Sequence, residues 1–277
     1  MRAKMSDASV AFVVLTWNSQ RYIENCLKSI LSLPFKKLMV YVIDNGSRDD
    51  TVKIIRGVSQ EDCRVELITL ETNEGTTKPR NLALKRIPTT TDYVCVLDSD
   101  TEVNVTAFQK LTDKLVKDTG ESIGIIGPHM HNRKGEWQLS GRNLSTLGIK
   151  LRKACPIGSV KQRGAQMEIP QTPVIDHLQD VGYLLSACWF MPYSTIKKVG
   201  LLDEHIFYAP EDVDYCVRVH QAGLRVVFCD SAEIMHDYQR LSHKKLISKT
   251  NIKHISGLIY YFRKHGYLFN DKKMHFD

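Results

Sequence analysis

Long apolar runs are missing from this 277-residue sequence. The run nearest its start, residues 10–15, has six apolar residues, whereas a membrane-spanning helix needs about 20. A secretory signal also needs a longer apolar stretch. The sequence therefore predicts neither a spanning helix nor export.

Paired cysteines are also missing. The seven cysteines are scattered along the chain and none of them forms a CxxC pair, so neither a zinc ribbon nor a disulfide framework is indicated. Free thiols suit a reducing compartment. We therefore expect a cytoplasmic protein.

Two glycine-rich phosphate-binding motifs are absent. No GxGxxG follows the first apolar strand, which argues against a dinucleotide oxidoreductase, and no GxxxxGK[ST] occurs, which argues against a P-loop nucleotide hydrolase. Any nucleotide must be held by other residues.

Acidic residues are scarce near the end of the sequence. Residues 240–277 contain nine Lys and Arg and two Asp, a net charge of 9 − 2 = +7 that equals the whole charge of the chain. Apolar residues alternate with these cations, which predicts a basic amphipathic helical tail over 241–277. Such a tail could bind an anionic membrane at the inner face of the cell membrane. It could equally pack on the body of the protein or on a second subunit of a homodimer. No motif indicates a nucleic-acid partner.

Strands and helices alternate regularly in the first 100 residues. Apolar strands begin near residues 10, 38, 65 and 93, with helical patterns between them. This spacing predicts βαβ units and an α/β fold, with a Rossmann-like, mostly parallel sheet flanked by helices. Shorter strands follow within 121–128, 181–191 and 224–229. Residues 140–173 are rich in Gly, Ser, Pro and basic residues without a clear period, and we expect them to form a long loop.

Polar residues follow the predicted strands, at the edge where ligands bind in such sheets. Thr16 and Asn18 come after the first strand, Asp44 after the second, and Asp98 and Asp100 after the fourth. Two carboxylates in a D-x-D spacing are hard ligands that suit Mg²⁺ or Mn²⁺.

A second acidic group, Glu211 and Asp212, opens a predicted helix just after Pro210. These carboxylates could cap the helix, or one of them could act as a general base. The residues alone leave both interpretations open. A lone histidine such as His236 is more often an ordinary structural residue than a metal ligand.

Several segments together resemble the family 2 inverting glycosyltransferases of the GT-A fold, most of all their bacterial rhamnosyltransferase-like branch. The resemblance lies in residues 13–30, 42–51, 73–84, 96–100 and 200–228, with 186–200 and 260–266 also similar. Residues 101–180 are the weak stretch. The order and spacing of the segments carry more information than any one of them.

The resemblance implies a nucleotide-sugar site. In the family the polar end of the first strand and the aspartate after the second hold the base, and a residue near Arg80 often contacts the base or the diphosphate, although the local pattern here differs somewhat. The implied nucleotide-binding residues are Thr16, Asn18, Asp44, Arg80 and Asp98.

The resemblance also implies a metal site and a base. Asp98 and Asp100 match the D-x-D that binds Mn²⁺ or Mg²⁺, and His236 stands where some relatives complete the metal shell. Asp212 matches the catalytic base, with Glu211 supporting it or touching the acceptor.

We therefore expect a metal-dependent inverting glycosyltransferase. It would move a sugar from a UDP- or dTDP-sugar to a hydroxyl of a cell-surface glycan or of a lipid-linked acceptor. Residues 1–100 would form the nucleotide-sugar-binding half of one domain, residues 101–240 its acceptor-binding half, and 241–277 the tail.

Two other functions compete with this prediction. A sugar-phosphate nucleotidylyltransferase has a similar sheet but usually carries a glycine-rich loop directly after the first strand, and this sequence has none there. A non-catalytic nucleotide-sugar-binding module would have no need to keep Asp98, Asp100 and Asp212 together.

Overall fold

The structure is a computed structural model that describes residues 5–144, 146–238 and 249–266. The strands are β1 (Ser9–Thr16), β2 (Lys37–Asp44), β3 (Val65–Thr69), β4 (Tyr93–Asp98), β5 (Thr101–Glu102), β6 (Ile123–His131), β7 (Trp137–Gln138), β8 (Gly141–Arg142), β9 (Val174–Ile175), β10 (Leu178–Asp180), β11 (Tyr183–Leu184), β12 (Cys188–Pro192) and β13 (Arg225–His236). The α-helices are α1 (Ile23–Leu31), α2 (Thr51–Glu61), α3 (Thr77–Leu84), α4 (Val105–Lys117), α5 (Leu147–Ala154), α6 (Gly158–Gln166), α7 (Tyr193–Val199), α8 (Glu211–Gln221) and α9 (Lys249–His265). A short 3₁₀ helix, Met5–Asp7, precedes β1.

One large sheet organises the molecule, with the strand order β3-β2-β1-β4-β12-β6-β13-β10-β9. The first four strands are parallel. β12 lies antiparallel between β4 and β6, and β13 is again parallel to β6. Strands β8 and β11 form a separate antiparallel pair. The predicted α/β fold with a mostly parallel sheet flanked by helices is therefore confirmed.

Two apolar layers cover the sheet. Side chains of α1, α2 and α4 pack on one side, and side chains of α3, α7, α8 and α9 pack on the other. The β-branched and aromatic residues of β1, β4 and β12 are buried between these layers, as expected for central strands covered on both faces. The carboxyl ends of β1, β2 and β4 thus meet at one edge of the sheet.

The expectation of a long loop over 140–173 is wrong, because this segment contains β8, α5 and α6. Both helices are short, and each buries a single residue, Ile149 in α5 and Gly164 in α6. They therefore lack the apolar period by which a helix is predicted from sequence. A Cβ on Gly164 would lie 3.0 Å from the backbone nitrogen of Lys153, so glycine permits the close packing of α5 and α6.

Within the predicted tail the structure describes residues 249–266, and residues 241–248 and 267–277 lie outside the described part. Helix α9 packs on the body: Tyr261 is 1% exposed and Phe262 is 6% exposed. Lys264 and His265 contact Asp214 of α8. The helix is thus part of the second apolar layer. None of the described helices is both long enough and apolar enough to cross a bilayer.

Candidate active site

Asp98, Asp100 and His236 form a compact cluster at the carboxyl edge of the sheet. Each offers one ligand atom, and these atoms lie within 4.8 Å of one another. Asp98 is the last residue of β4, and His236 is the last residue of β13. The end of β13 pairs with β5, which begins directly after Asp100. The cluster joins residues from both sides of the predicted boundary at residue 100. Two carboxylates and an imidazole are a suitable ligand set for a divalent cation such as Mn²⁺.

The geometry around His236 leaves one ring nitrogen facing the carboxylates. Nδ1 lies 2.6 Å from Gln138 Oε1 and donates to it, while Nε2 lies 3.4 Å from Asp100 Oδ1. Burial opposes the charged imidazolium, but the carboxylates of Asp100 and Asp98 outweigh it and raise the pKa of His236. Gln138 thus orients the ring, a role typical of residues behind a metal ligand.

Thr16 and Asp44 face each other at the ends of β1 and β2. Both residues are 1% exposed. Asp44 Oδ2 accepts from the backbone of Ser47 at 3.0 Å, whereas Asp44 Oδ1 and Thr16 Oγ1 have no hydrogen-bond partner within the described part of the chain. A buried polar atom without a partner costs about 1–3 kcal/mol. These two oxygens are therefore suited to a ligand that supplies the missing hydrogen bonds.

Asn18 has a different role from Thr16 and Asp44. Its φ of 51° lies in the left-handed region that asparagine tolerates, its side chain accepts from Arg48 N at 2.9 Å, and its backbone donates to Ser47 Oγ at 2.8 Å. The residue shapes the turn between β1 and α1. A cavity of about 230 Å³ opens beside it, lined by Trp17, Asn18, Gly46, Arg48, Glu71, Thr72 and Asn73.

Arg80 is buried among acidic side chains rather than exposed to a ligand. Its Nη2 donates to Asp98 Oδ1 at 2.7 Å, and its Nη1 lies 3.3 Å from Glu211 Oε1 and 3.2 Å from Ser186 Oγ. The arginine side chain is 1% exposed. Because a buried charge must be paired, Arg80 links Asp98, and with it the Asp98–Asp100–His236 cluster, to the first turn of α8.

Glu211 is fixed by these contacts. Ser186 Oγ also donates to its Oε1 at 3.2 Å, and the residue is 7% exposed. Burial and the neighbouring charge of Asp212 raise the pKa of Glu211 to about 7, with Arg80 opposing them. The carboxyl is held in place, with both charged and neutral forms accessible near neutral pH.

Asp212 is half-buried and has fewer partners. Its Oδ1 accepts at 2.8 Å from the backbone of Val213, an N–H of the first turn of α8, whose N-cap position is Pro210. Burial raises the pKa of Asp212, while Val213 N and the cations Lys150 and Arg142 oppose the change. Asp212 differs from Glu211 in having no hydrogen bond from another side chain among the described residues, whereas Glu211 Oε1 accepts from Arg80 and Ser186. Oδ1 of Asp212 can thus stay bonded to the helix backbone while Oδ2 accepts a proton.

Asp214, three residues after Glu211, belongs to a structural network instead. It is 1% exposed and pairs with Arg218 at 3.0 Å, Lys264 at 2.7 Å and His265 at 2.8 Å. These partners lower its pKa against the effect of burial. The carboxylate anchors α9 to α8.

Ser186 contacts Glu211 and Gln138 contacts His236, and neither residue was predicted from the sequence. Ser186 lies in a segment that resembled the family, directly before β12, and this was the available signal. Gln138 comes from the two-residue strand β7, paired with β6, in the stretch of weakest resemblance. Tyr208, which was also not predicted, is 44% exposed and lies near the same carboxylates. Partial desolvation of its hydroxyl, together with the charges of Glu211 and Asp98, raises its pKa to about 12.

The chain is similar to known proteins in both fold and sequence. The fold is that of GT-A glycosyltransferases: the crystal structure of GalNAc-T7 with UDP, GalNAc and Mn²⁺ superposes with a TM-score of 0.69 at 16% identity, over 92% of this chain and 48% of that one. The profile described as glycosyl transferase family 2 matches residues 11–165, more than half of the chain. The chain belongs to glycosyltransferase family 2.

Two curated relatives extend this comparison. An N-acetylglucosaminyl-diphospho-decaprenol L-rhamnosyltransferase of Mycobacterium tuberculosis is 24% identical over 271 residues, 92% of this chain and 84% of the relative. An uncharacterized glycosyltransferase of Haemophilus influenzae is 30% identical over 96 residues, and this match spans 35% of the chain and 38% of the relative. The predicted family is confirmed.

Proposed function

We propose that this protein transfers a sugar, with inversion, from a nucleoside-diphosphate sugar to an acceptor hydroxyl. The observation that carries the proposal is the junction at Arg80. One buried guanidinium joins a carboxylate of the Asp98–Asp100–His236 cluster to Glu211, the neighbour of Asp212. A site for a diphosphate and a candidate base are thereby held together at the ligand-binding edge of the sheet.

The donor's base is assigned to the pocket beside Thr16 and Asp44. Asp44 Oδ1 is a buried acceptor without a partner among the described residues, and the imide N–H of uracil or thymine is a donor of matching chemistry. This supports a UDP- or dTDP-sugar. The structural neighbour GalNAc-T7 was crystallised with UDP. Asn18 supports the turn beside the base, and Arg80 acts by fixing Asp98.

The cofactor is assigned to Asp98, Asp100 and His236, and Mn²⁺ or Mg²⁺ fits their oxygen and nitrogen atoms. A divalent ion held by these three residues would neutralise the negative charge that develops on the departing nucleoside diphosphate. GalNAc-T7 was crystallised with Mn²⁺. Asp98 also lies near enough to Arg80 for its carboxylate to stay fixed while a ligand enters.

Asp212 is assigned as the general base. It accepts the proton of the acceptor hydroxyl as that oxygen attacks the anomeric carbon, and the bond from this carbon to the diphosphate breaks. A single displacement inverts the anomeric centre and needs no covalent sugar–enzyme intermediate. Glu211, fixed by Arg80 and Ser186, positions the helix turn that carries Asp212.

The acceptor is assigned to the cell envelope, as a surface glycan or a lipid-linked sugar. The mycobacterial relative is named for a diphospho-decaprenol-linked acceptor, and this supports a site of action at the cytoplasmic face of the membrane. Membrane contact through 241–277 and a homodimer stay predictions. The packing of α9 on α8 favours the interpretation in which the described part of the tail belongs to the body.

Binding of UDP with and without Mn²⁺ tests the proposal. We expect the wild-type protein to bind UDP in a Mn²⁺-dependent manner, and Asp100→Ala to abolish the dependence while the melting temperature stays near the wild-type value. Asp113→Ala removes an exposed carboxylate from α4 and is the matched control. Unchanged Mn²⁺-dependent binding in Asp100→Ala would refute the metal assignment.

A further inference from the structure

Three cations surround one buried carboxylate in the segment that the family resemblance left unexplained. Glu168 is 2% exposed. Arg142 Nη1 lies 2.9 Å from it, Lys153 Nζ 2.5 Å and Lys150 Nζ 4.0 Å. One negative charge among three positive charges leaves the cluster with an excess of two. We call Arg142, Lys150, Lys153 and Glu168 the cationic cluster.

The cationic cluster is built by β8, α5 and the residue that follows α6 by two positions. Its surroundings share its charge, because residues 141–175 contain six Lys and Arg and a single acidic residue, Glu168 itself. The excess positive charge is therefore not balanced by nearby residues of the same segment. Local charge of this kind attracts anionic ligands.

Lys150 is the member with capacity for a ligand. Glu168 accepts short hydrogen bonds from Arg142 and Lys153, but Lys150 Nζ makes no hydrogen bond to any residue that the structure describes and has a side chain only 31% exposed. Burial lowers the pKa of Lys150, and Glu168 opposes the change. Lys150 thus has a distant ion-pair partner in Glu168 and no hydrogen bond from its ammonium within the described residues, and an anion that reaches this ammonium can accept one.

Strand β8, which carries Arg142, pairs with β11, and β11 packs against α8, the helix that begins with Glu211 and Asp212. The charges of Lys150 and Arg142 act on the Asp212 carboxylate and oppose the rise of its pKa. A molecule that meets Asp212 and carries an anionic group can therefore place that group near Lys150. In the proposed reaction the molecule that meets Asp212 is the acceptor.

We propose that Lys150, with Arg142 and Lys153, forms a subsite for a phosphate group of the acceptor. This inference rests on the proposed function and adds the chemical class of the acceptor to it. A phosphate ester or diphosphate carries the one or two negative charges that the cationic cluster lacks, and its several oxygens can accept from an ammonium and a guanidinium together. Glu168 holds Arg142 and Lys153 at the rim of the subsite.

Two kinds of acceptor carry such a phosphate: a lipid-linked sugar and a polyol-phosphate polymer. A groove of about 640 Å³ is lined by other residues of the same segment, and its lining is mixed, with Leu144, Ile149, Met167 and Ile169 next to Arg152 and Arg163. Apolar lining would add affinity for a lipid chain. The phosphate is common to both sources, and probes with and without an alkyl chain separate them.

Calorimetric titration of the full chain tests the subsite. The protein is first saturated with Mn²⁺ and UDP, and geranyl monophosphate and glycerol 3-phosphate are then titrated into it in separate experiments. We expect both probes to bind and Lys150→Gln to weaken them roughly tenfold, the loss of one charge-assisted hydrogen bond. Lys161→Gln removes an exposed cation from α6 and should change both affinities by less than about twofold. Lys150→Arg should preserve binding. Tighter binding of geranyl monophosphate would identify the lipid-linked source, and equal affinities the polyol source.

Three results would overturn the subsite. These are no binding of either phosphate by the wild-type protein, equal weakening in Lys150→Gln and Lys161→Gln, and no weakening in either. If Lys150→Gln failed to fold, Lys153→Gln would serve as the second variant, with the same expected loss. A wild-type protein that does not bind UDP counts against the proposed function instead, and the comparison of the two lysine variants without UDP still tests the subsite.

Discussion

Arg80 and Asp98 form an ion pair at the carboxyl end of β4, with Nη2 2.7 Å from Oδ1. The arginine side chain is 1% exposed and the aspartate side chain 35% exposed, so the pair has a buried cation and an accessible anion. The same guanidinium contacts Glu211, 131 residues further along the chain. One side chain therefore links the Asp98–Asp100–His236 cluster to the first turn of α8.

Arg80→Ala should be strongly destabilising. It leaves Glu211 and Asp98 without their buried cation, and breaking a buried pair in this way typically costs about 3–5 kcal/mol. Arg86→Ala is the control, because Arg86 pairs with Glu66 on the surface at 2.6 Å and is 49% exposed, and its loss should cost at most about 1 kcal/mol. Denaturant unfolding measures both. Equal losses would mean that the Arg80 network does not stabilise the fold.

Asp212→Asn should separate the two roles of this residue. Asparagine caps a helix nearly as well as aspartate, so the melting temperature and Mn²⁺-dependent UDP binding should stay near the wild-type values. Asparagine cannot accept the acceptor's proton, and transfer should fall by about 10²–10⁴-fold. Transfer within about threefold of wild type would leave Asp212 with the capping role alone.

Asp214→Asn is the contrasting variant on the same helix. Asp214 pairs with Arg218, Lys264 and His265 while buried, so its neutralisation should destabilise the protein by several kcal/mol. Transfer per folded molecule should be retained, since Asp214 does not face the proposed site. A variant that melts normally but loses transfer would move the base assignment from Asp212 to Asp214.

The pKa of Glu211 predicts a pH-dependent stability. The ordinary value of 4.5 is raised to about 7 in the folded protein, so the folded state binds this proton more tightly than the unfolded state. The contribution to stability is full below the unfolded value and is lost as the pH rises through the folded value. Glu211→Gln removes this loss. As the pH rises from about 5 to about 8, the free energy of unfolding of the variant should therefore increase relative to that of wild type by about 1–3 kcal/mol.

Urea unfolding at the two pH values, in the presence of a chelator, measures this difference. Glu61→Gln, on the exposed end of α2, is the control and should show almost no change with pH. A Glu211→Gln variant whose stability relative to wild type is the same at both pH values would show that Glu211 titrates normally.

Local patterns in the sequence were sufficient to predict the first half of the sheet. Each of β1 to β4 is an apolar strand within its own βαβ unit, so its position follows from short-range periodicity. The placement of β12 between β4 and β6 does not follow from such patterns, because antiparallel pairing across about 90 residues depends on the packing of the whole sheet. The start of α8 was predictable because Pro210 and the acidic residues after it are a local signal.

The candidate site was predictable only in part, for the same reason. Residues at strand ends, such as Asp44 and Asp98, can be recognised from local order. The contacts of Arg80 with Glu211 and of His236 with Gln138 join positions 131 and 98 residues apart, and nothing local encodes them. Arg80 was expected to contact the nucleotide, whereas in the structure its partners are Asp98, Glu211 and Ser186.

Removal of helix α9 distinguishes the two interpretations of the tail, packing on the body and binding to a membrane. A chain that ends at Arg240 lacks α9, and with it the buried Tyr261 and two partners of Asp214. We expect this truncated protein to melt well below the full chain. Tyr261→Ala should reproduce part of the effect, at about 3–5 kcal/mol for an aromatic side chain removed from the core.

Ile259→Ala is the matched control on the same helix, because this isoleucine is 51% exposed and its removal should change stability by less than about 0.5 kcal/mol. If α9 were instead a membrane-binding element loosely attached to the body, the opposite pattern would follow. Tyr261→Ala would then leave the melting temperature unchanged, and the truncated protein would stay folded while losing its binding to phosphatidylglycerol vesicles. Because Lys264 and His265 are engaged by Asp214 in the structure, we expect the first pattern, in which the loss of α9 is a loss of core.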